Sequence, residues 1–444
     1  MIKTRKNVHY IVIISIVIIL TIFICRNGYL ESFGSYISEN GNSSINYQIT
    51  LIINQTIGGK GLDYAYSIIS TSDDGYALGG YTYSYDAGAS DMWIVKTDAA
   101  GLLEWNQTVG GIAGEYAFSI ITTADGGYIL AGGTESYGVG GYDMWLVKTN
   151  SLGGVEWNQT YGGLGADYAF PVIASTDGGY ILVGRTESYG AGASDMWAVK
   201  TNSFGVVEWN QTYGGANPDS GDDVITTSDG GYVFVGGTES YGTGGSDMWL
   251  VKTNSLGIVE WNQTYGGINE DRATSIIPAT DGGYIIAGLT QSYGAGSRDM
   301  WLVKINATGG PEWNQTYGGA APDFADTVIA TTEGGYALVG RTESYGAGRE
   351  DMWLVKTNRT GLLEWSQTFG GIKEDAAYSI IAPSAGEYVL VGRTESYGSG
   401  SSDLWLLKIN VQPKTSKTTN FPLFEIYLLL IAVITINNYN KRKK

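Results

Sequence analysis

The long middle of this sequence contains neither cysteine nor histidine. Its single Cys is Cys25 and its single His is His9, and both stand in an apolar stretch near the start. Everything after residue 26 is therefore without disulfides, zinc sites built on Cys or His, a Cys nucleophile or a Ser-His-Asp triad. No metal and no cofactor is expected. Positive charge is also scarce: 26 Lys and Arg face 44 Asp and Glu, a net charge of −18. The ends, 1–44 and 413–444, hold ten of the basic residues and only three acids, which leaves 16 basic and 41 acidic residues in between. So acidic a body repels phosphate backbones, which excludes nucleic acid as a natural partner. Finally, no stretch of the middle keeps a 3.6-residue apolar period over ten or more residues, which excludes a helical repeat.

Glycine (66), tyrosine (32) and tryptophan (13) are abundant. This is a turn-rich, aromatic β composition. The tryptophans are periodic. Asp143-Met144-Trp145-Leu146-Val147-Lys148 recurs with Trp93, Trp145, Trp197, Trp249, Trp301, Trp353 and Trp405 at steps of 52 residues. A second series lies twelve residues later, at Trp105, Trp157, Trp209, Trp261, Trp313 and Trp365, with Ile53 in the seventh place. A fixed period of this length marks a propeller or solenoid.

Within one unit, Asp125-Gly126 separates Ser119–Thr123 from Tyr128–Gly132, a hairpin signal because Gly tolerates the positive φ of a tight turn. Met144–Lys148 and Val155–Thr160 supply a third and a fourth strand. Four short strands per unit, repeated seven times, predict an all-β, seven-bladed β-propeller over 47–410. The strands are apolar on both faces, as packing between two neighbours requires, so the Trp residues are read as interblade core. One fourth strand is surplus at the start (Ile49–Thr56), and one is missing after Leu404–Ile409. Pairing these two segments would complete the last blade and leave no open edge.

The ends read differently. Lys3, Arg5 and Lys6 precede the apolar run 9–25, a transmembrane signal anchor within 1–26, or a cleaved signal peptide. A polar stalk covers 27–46 and a Pro/Lys/Thr linker covers 411–420. In 421–444 an apolar run precedes Lys441-Arg442-Lys443-Lys444, which reads as a second transmembrane helix or a sorting signal. The positive-inside rule places the propeller on the extracellular face of a cell membrane, with the membrane itself as one partner.

Positions that repeat unchanged read as frame. The Asp of the Trp motif and the acidic residue at 167 and its copies are taken as turn caps, with calcium as the alternative. Variation is expected in the loops between blades and in those between second and third strands. The place after the second strand also varies, holding Arg185, Arg341 and Arg393. With Arg298 and Arg349 they are candidate ligand-binding residues, able to hold a carboxylate or a sugar acid. The alternative is that Arg185, Arg341 and Arg393 pair with Glu187, Glu343 and Glu395. No catalytic residue is assigned. A glycoside hydrolase or lyase would need two carboxylates about 5–10 Å apart, and Asp222, Asp223 and Glu350 are the candidates. Asn54, Asn106, Asn158, Asn210, Asn262 and Asn314 head Asn-x-Thr sequons and are candidates for glycosylation, with further sequons at Asn42, Asn306 and Asn358.

The combination Asp-x-Trp-Leu-x-Lys-Thr, Glu-Trp-x-x-Thr-x-Gly-Gly and Asp-Gly-Gly-Tyr-x-x-x-Gly resembles exported propeller-repeat proteins of archaea and bacteria across 47–410. The C-terminal apolar stretch with its basic end resembles archaeal surface-anchoring tails. The repeat differs from WD repeats in lacking their Gly-His and Trp-Asp pairs. The resemblance implies fold and cell-surface location rather than an activity. The expected function is a non-catalytic binding or adhesion module for a glycan or protein ligand, with a polysaccharide-active enzyme or a structural coat component as alternatives.

Overall fold

A computed structural model describes residues 47–85 and 88–414. Both terminal apolar runs, the stalk, most of the linker and Asn42 lie outside them. Among the described residues there are 28 strands and no helix, and none is long and apolar enough to cross a membrane as a helix. The strands form seven antiparallel four-stranded sheets. Blade 1 comprises β2 (Asp63–Ser70), β3 (Tyr76–Thr82), β4 (Asp91–Thr97) and β5 (Leu103–Val109). Blades 2 to 6 repeat this pattern over 115–161, 167–213, 219–265, 271–317 and 323–369. First strands of neighbouring blades lie against one another, so they line the axis.

Blade 7 closes the ring. It consists of β26 (Asp375–Ile381), β27 (Glu387–Thr394), β28 (Asp403–Pro413) and, as its outermost strand, β1 (Tyr47–Ile57). The expected pairing of Ile49–Thr56 with Leu404–Ile409 is present, with Thr56 opposite Trp405 and Leu51 opposite Ile409. It extends further, with Tyr47 opposite Pro413. The chain from Val411 to Pro413 is therefore strand and not linker. The extension also has a packing reason, because Val411 is buried and Tyr47 lies against Trp365 of blade 6, ring centroids 6.1 Å apart.

The repeated residues do the work of a frame. The seven Trp of the third strands are 1–4% exposed and sit in clusters that join adjacent blades. In blade 2 the indole Nε1 of Trp145 donates to Asn158 Oδ1 at 3.2 Å, and every blade but the sixth repeats this bond. Blade 6 has Ser366 in place of the Asn. The sequon asparagines thus recur for a structural reason, as partners of a buried indole. The second Trp series packs forward onto the next blade. Trp105 rests against Tyr128, and a Cβ on Gly153, whose φ is +79°, would lie 2.8 Å from the Trp105 ring. Only glycine satisfies both the turn and that approach.

The third-strand Lys is buried in blades 1 to 6, while Lys408 of blade 7 is half-buried beside Glu387. Lys148 Nζ lies 2.9 Å from Asp125 and 2.7 Å from Glu156, and also donates to Thr149 O. Burial opposes its charge, but the two carboxylates outweigh that and raise its pKa. The invariant acids cap turns, as the sequence suggested. Asp143 Oδ2 accepts from Val139 N at 2.7 Å. Asp167 Oδ2 accepts from Gly163 N at 2.9 Å and from Ser188 Oγ at 2.6 Å. Among the described residues, no group of three or more His, Cys, Asp or Glu is arranged to hold a metal.

Candidate functional site: the central channel

Each innermost strand breaks its ladder at the same place. In blade 1 the register slips between Ala65 and Ser67, and the other blades slip at the corresponding residues. A bulge leaves a residue unpaired and re-aims its side chain. Here the bulged residues line the axis: Tyr66, Phe118, Phe170, Asp222, Thr274, Asp326 and Tyr378, in blade order. With the residues that follow them they enclose a cavity of 660 Å³. The neighbouring place is Ala in six blades and Gly221 in the seventh. The frame is thus constant up to the channel wall, and the wall itself differs from blade to blade.

Half of the wall is aromatic. Tyr378 stacks on Tyr66 with centroids 4.6 Å apart, Tyr66 meets Phe118 edge-on at 5.2 Å, and Phe118 meets Phe170 edge-on at 5.5 Å. This arc covers four consecutive blades. Towards the loops it continues into Tyr64, Tyr81, Tyr116, Tyr142 and Tyr168, with Tyr81 and Tyr116 edge-on at 4.7 Å and Tyr142 and Tyr168 at 5.0 Å. Burial raises the pKa of Tyr66 and Tyr378, so both hydroxyls are protonated at neutral pH.

The other half is charged. Arg272 holds Asp222 at 2.5 Å. Glu350 lies between two guanidinium groups, 3.3 Å from Arg341 Nε and 3.3 Å from Arg393 Nη2. Arg393 also reaches Glu374 and Glu395, each at 3.2 Å. Asp326 faces Arg341 Nη1 at 3.5 Å. Burial lifts the Asp326 carboxyl to about 6, against the pull of Arg341 and with the help of Glu350.

Asp223 has a different task. In blades 1, 2 and 5 the residue after the bulge is a Ser whose hydroxyl accepts an amide of the next blade, Ser67 from Ile120 N at 3.3 Å, Ser119 from Val172 N at 3.2 Å and Ser275 from Val328 N at 3.3 Å. Blade 3 has Pro171 there and cannot offer an oxygen to Val224 N. Asp223 makes both bonds. Its Oδ1 accepts Val224 N and its Oδ2 accepts Ile276 N, each at 2.8 Å. Burial raises its pKa to about 6 in spite of these donors.

The five candidate arginines therefore separate. Arg341 and Arg393 converge on Glu350. Arg393 does pair with Glu395, but Arg341 turns to Glu350 and Asp326 rather than Glu343. Arg185 stands on the Tyr168 ring, 4.9 Å from its centroid, instead of pairing with Glu187. Arg298 binds Glu270 at 2.6 Å. Arg349 is 82% exposed on its loop, 3.8 Å from Glu374. The two loop sets do share a face, joined by bonds such as Glu115 N to Ser90 O and Glu135 N to Gly114 O. Sequence reasoning singled out Asp222 but missed the other bulged positions and Arg272. The signal was present as an alternation of Tyr, Phe, Asp and Thr beside constant Ala, but strand positions had been read as frame.

No family model matches the chain, and no curated protein matches it in sequence. Similar chains among solved structures include the Pan2 WD40 domain of Neurospora crassa (9% identity, 83% of this chain and 96% of that one, TM-score 0.49). Sqt1 from Chaetomium thermophilum gives 12% identity, 79% and 82%, and TM-score 0.44. The PQQ-bound aldose sugar dehydrogenase of Streptomyces coelicolor gives 12% identity, 83% and 99%, and TM-score 0.39. The functions in those names do not extend to this chain. What the geometry establishes is an all-β, seven-bladed propeller whose repeats diverge along the axis.

Proposed function

We propose that this chain is a non-catalytic binding module whose ligand enters the central channel from the face carrying the variable loops. The observation behind this is the channel wall, which differs in every part of the ring while the frame repeats. Selection for packing alone would repeat the wall as it repeats the Trp. Four loop residues on the same face, Ile112, Leu164, Ile268 and Ile372, are each at least 80% exposed. These side chains would lie under a glycan or protein whose group enters the channel. The carboxylates that a hydrolase would need are already engaged: Asp222 by Arg272, Asp223 by two amides, and Glu350 by two arginines. This supports binding over hydrolysis. The apolar, basic-flanked ends support display outside a cell membrane, which protease treatment of intact cells would test by releasing the propeller.

The test of binding is a thermal-shift and calorimetric screen on the full chain beside Thr274→Trp, which fills the channel from the wall. The expected outcome is a ligand that shifts the melting of the native chain and not of the filled variant. Binding equal in both would refute the channel as the site.

A further inference from the structure

Arginines on an acidic ring suggest an anionic ligand, but their partners in the structure indicate the opposite. Arg272 is held by Asp222, Arg341 by Glu350 and Asp326, and Arg393 by Glu350, Glu374 and Glu395 through Nη1 and Nη2, its Nε alone having no hydrogen-bond partner. Three guanidinium groups thus face five carboxylates before Asp223 is counted. A ligand carboxylate would meet cations that are already paired, within an excess of negative charge. Two carboxylate oxygens of this cluster, Asp222 Oδ2 and Asp326 Oδ2, accept no hydrogen bond within the described structure although both are shielded from solvent, and the second has only Arg341 Nη1 at 3.5 Å. Both residues line the cavity. Buried acceptors without donors are costly and mark a place that a donor or cation would complete.

Across the cavity stands the aromatic arc of Tyr378, Tyr66, Phe118 and Phe170. Aromatic faces attract cations through the ring quadrupole, most strongly where water is excluded. The protein already uses this attraction at the rim, where Arg341 lies 4.2 Å from the Phe324 centroid and Arg185 lies 4.9 Å from that of Tyr168. The net charge of −18 also draws cations towards the molecule.

We propose that the channel binds a small organic cation, an alkylammonium or quaternary ammonium group, seated between the aromatic arc and the carboxylates of Asp222 and Asp326. The proposal rests on the channel being the binding site and specifies the chemistry of the ligand. Asp326 is the main anionic contact, because Asp222 is bound tightly to Arg272. The charged or titratable groups facing Asp326 are Arg341, Glu350 and Tyr378. The cation needs Asp326 ionised, so its affinity falls as pH drops below about 6.

The experiment is calorimetric titration of the full chain with tetramethylammonium, n-butylammonium, glucuronate and glucose, at pH 7.5 and pH 5. Binding of the ammonium ions, and not of glucuronate or glucose, is expected. Asp326→Asn should weaken it by tenfold or more, and Phe118→Leu severalfold. Acidifying to pH 5 should weaken the native chain by about tenfold, that is by the one unit below an Asp326 pKa of about 6, and leave Asp326→Asn nearly unchanged. If Asp326→Asn fails to fold, Phe118→Leu, a change of shape without charge, carries the test. Glucuronate or glucose binding that Thr274→Trp abolishes, with no ammonium binding, would overturn the cation and leave the channel standing. Ammonium binding indifferent to both Asp326→Asn and Phe118→Leu would place the cation elsewhere and overturn the proposal. Failure of every probe would count against the channel reading as well.

Discussion

The third strands and the bulges of the first strands belong to the same blades but differ in kind. In the third strand, seven Trp, seven Lys and seven Asp occupy equivalent sites, and their bonds repeat with few exceptions, Trp353 lacking the Asn and Lys408 facing one carboxylate. At the bulge, the seven sites hold Tyr, Phe, Phe, Asp, Thr, Asp and Tyr. The first set is buried between blades, where each neighbour presents the same surface, so one solution fits all. The second set faces a shared cavity, where no residue packs against its own copy's environment and each contributes to one common wall. Repetition therefore marks what holds the ring together, and its failure marks what the ring encloses.

This contrast can be broken at four points. The largest effect is expected at the closure. Ile53 is 3% exposed and takes the place of a Trp in the outer strand of blade 7. Ile53→Asp should destabilise by about 4–5 kcal/mol, measured by urea unfolding, because it buries a charge without a partner. A loss below about 1 kcal/mol would mean that the ring is not held by this strand. Next is Lys148→Met, which removes the cation between Asp125 and Glu156. Hydrogen bonds to charged groups contribute roughly 1.5–3 kcal/mol, so a loss of about 2 kcal/mol is expected. An unchanged midpoint would demote the lysines from frame to surface.

The third test reverses the sign. Asp326 has its carboxyl raised by burial to about 6, above its value in the unfolded chain, so the folded state holds this proton more tightly. Its contribution is fully present below about pH 4 and is lost as pH rises through about 6. Asp326→Asn should therefore be more stable than the native chain at pH 7 by about 3 kcal/mol, and equal to it below about pH 4. Equal stability at both values would refute the burial of this charge. The frame acids behave oppositely. Hydrogen bonds from Thr123 and Lys148 hold Asp125 below its usual range, so its contribution appears above about pH 4 and fades in more acid solution. The smallest effect belongs to Phe118→Leu, within about 1 kcal/mol in stability, since volume and apolarity are nearly kept. A large loss there would make the aromatic arc part of the frame after all.

Much of this was legible in the primary structure. The 52-residue period set the number of blades, Asp125-Gly126 marked the first hairpin, and the surplus and missing strands predicted the closure. Each depends on local turn chemistry or on counting, and neither needs coordinates. Val411–Pro413 was misplaced as linker because its partner, Tyr47–Ile49, lies more than 350 residues away in the chain. The candidate site was only partly legible. Variation after the second strand drew attention to Arg341 and Arg393, which line the channel, but not to Glu350 as their common partner. Apart from Asp222, the bulged residues escaped because a strand period of two assigns them to a packed face, and only the register slip turns them to the axis. Pro171 and Asp223 show the same limit. Their compensation is visible only once Val224 N is seen to face both.

The sequence by itself determined the ring. Identical units must pack identically, and seven of them with one strand exchanged between the ends leave no blade incomplete. What only the tertiary structure decided is the content of the ring. Residues 52 positions apart become neighbours around one cavity, and their meaning lies in their sum: an aromatic half, a charged half, and arginines already paired within it. No single repeat contains that information, because the cavity belongs to none of them.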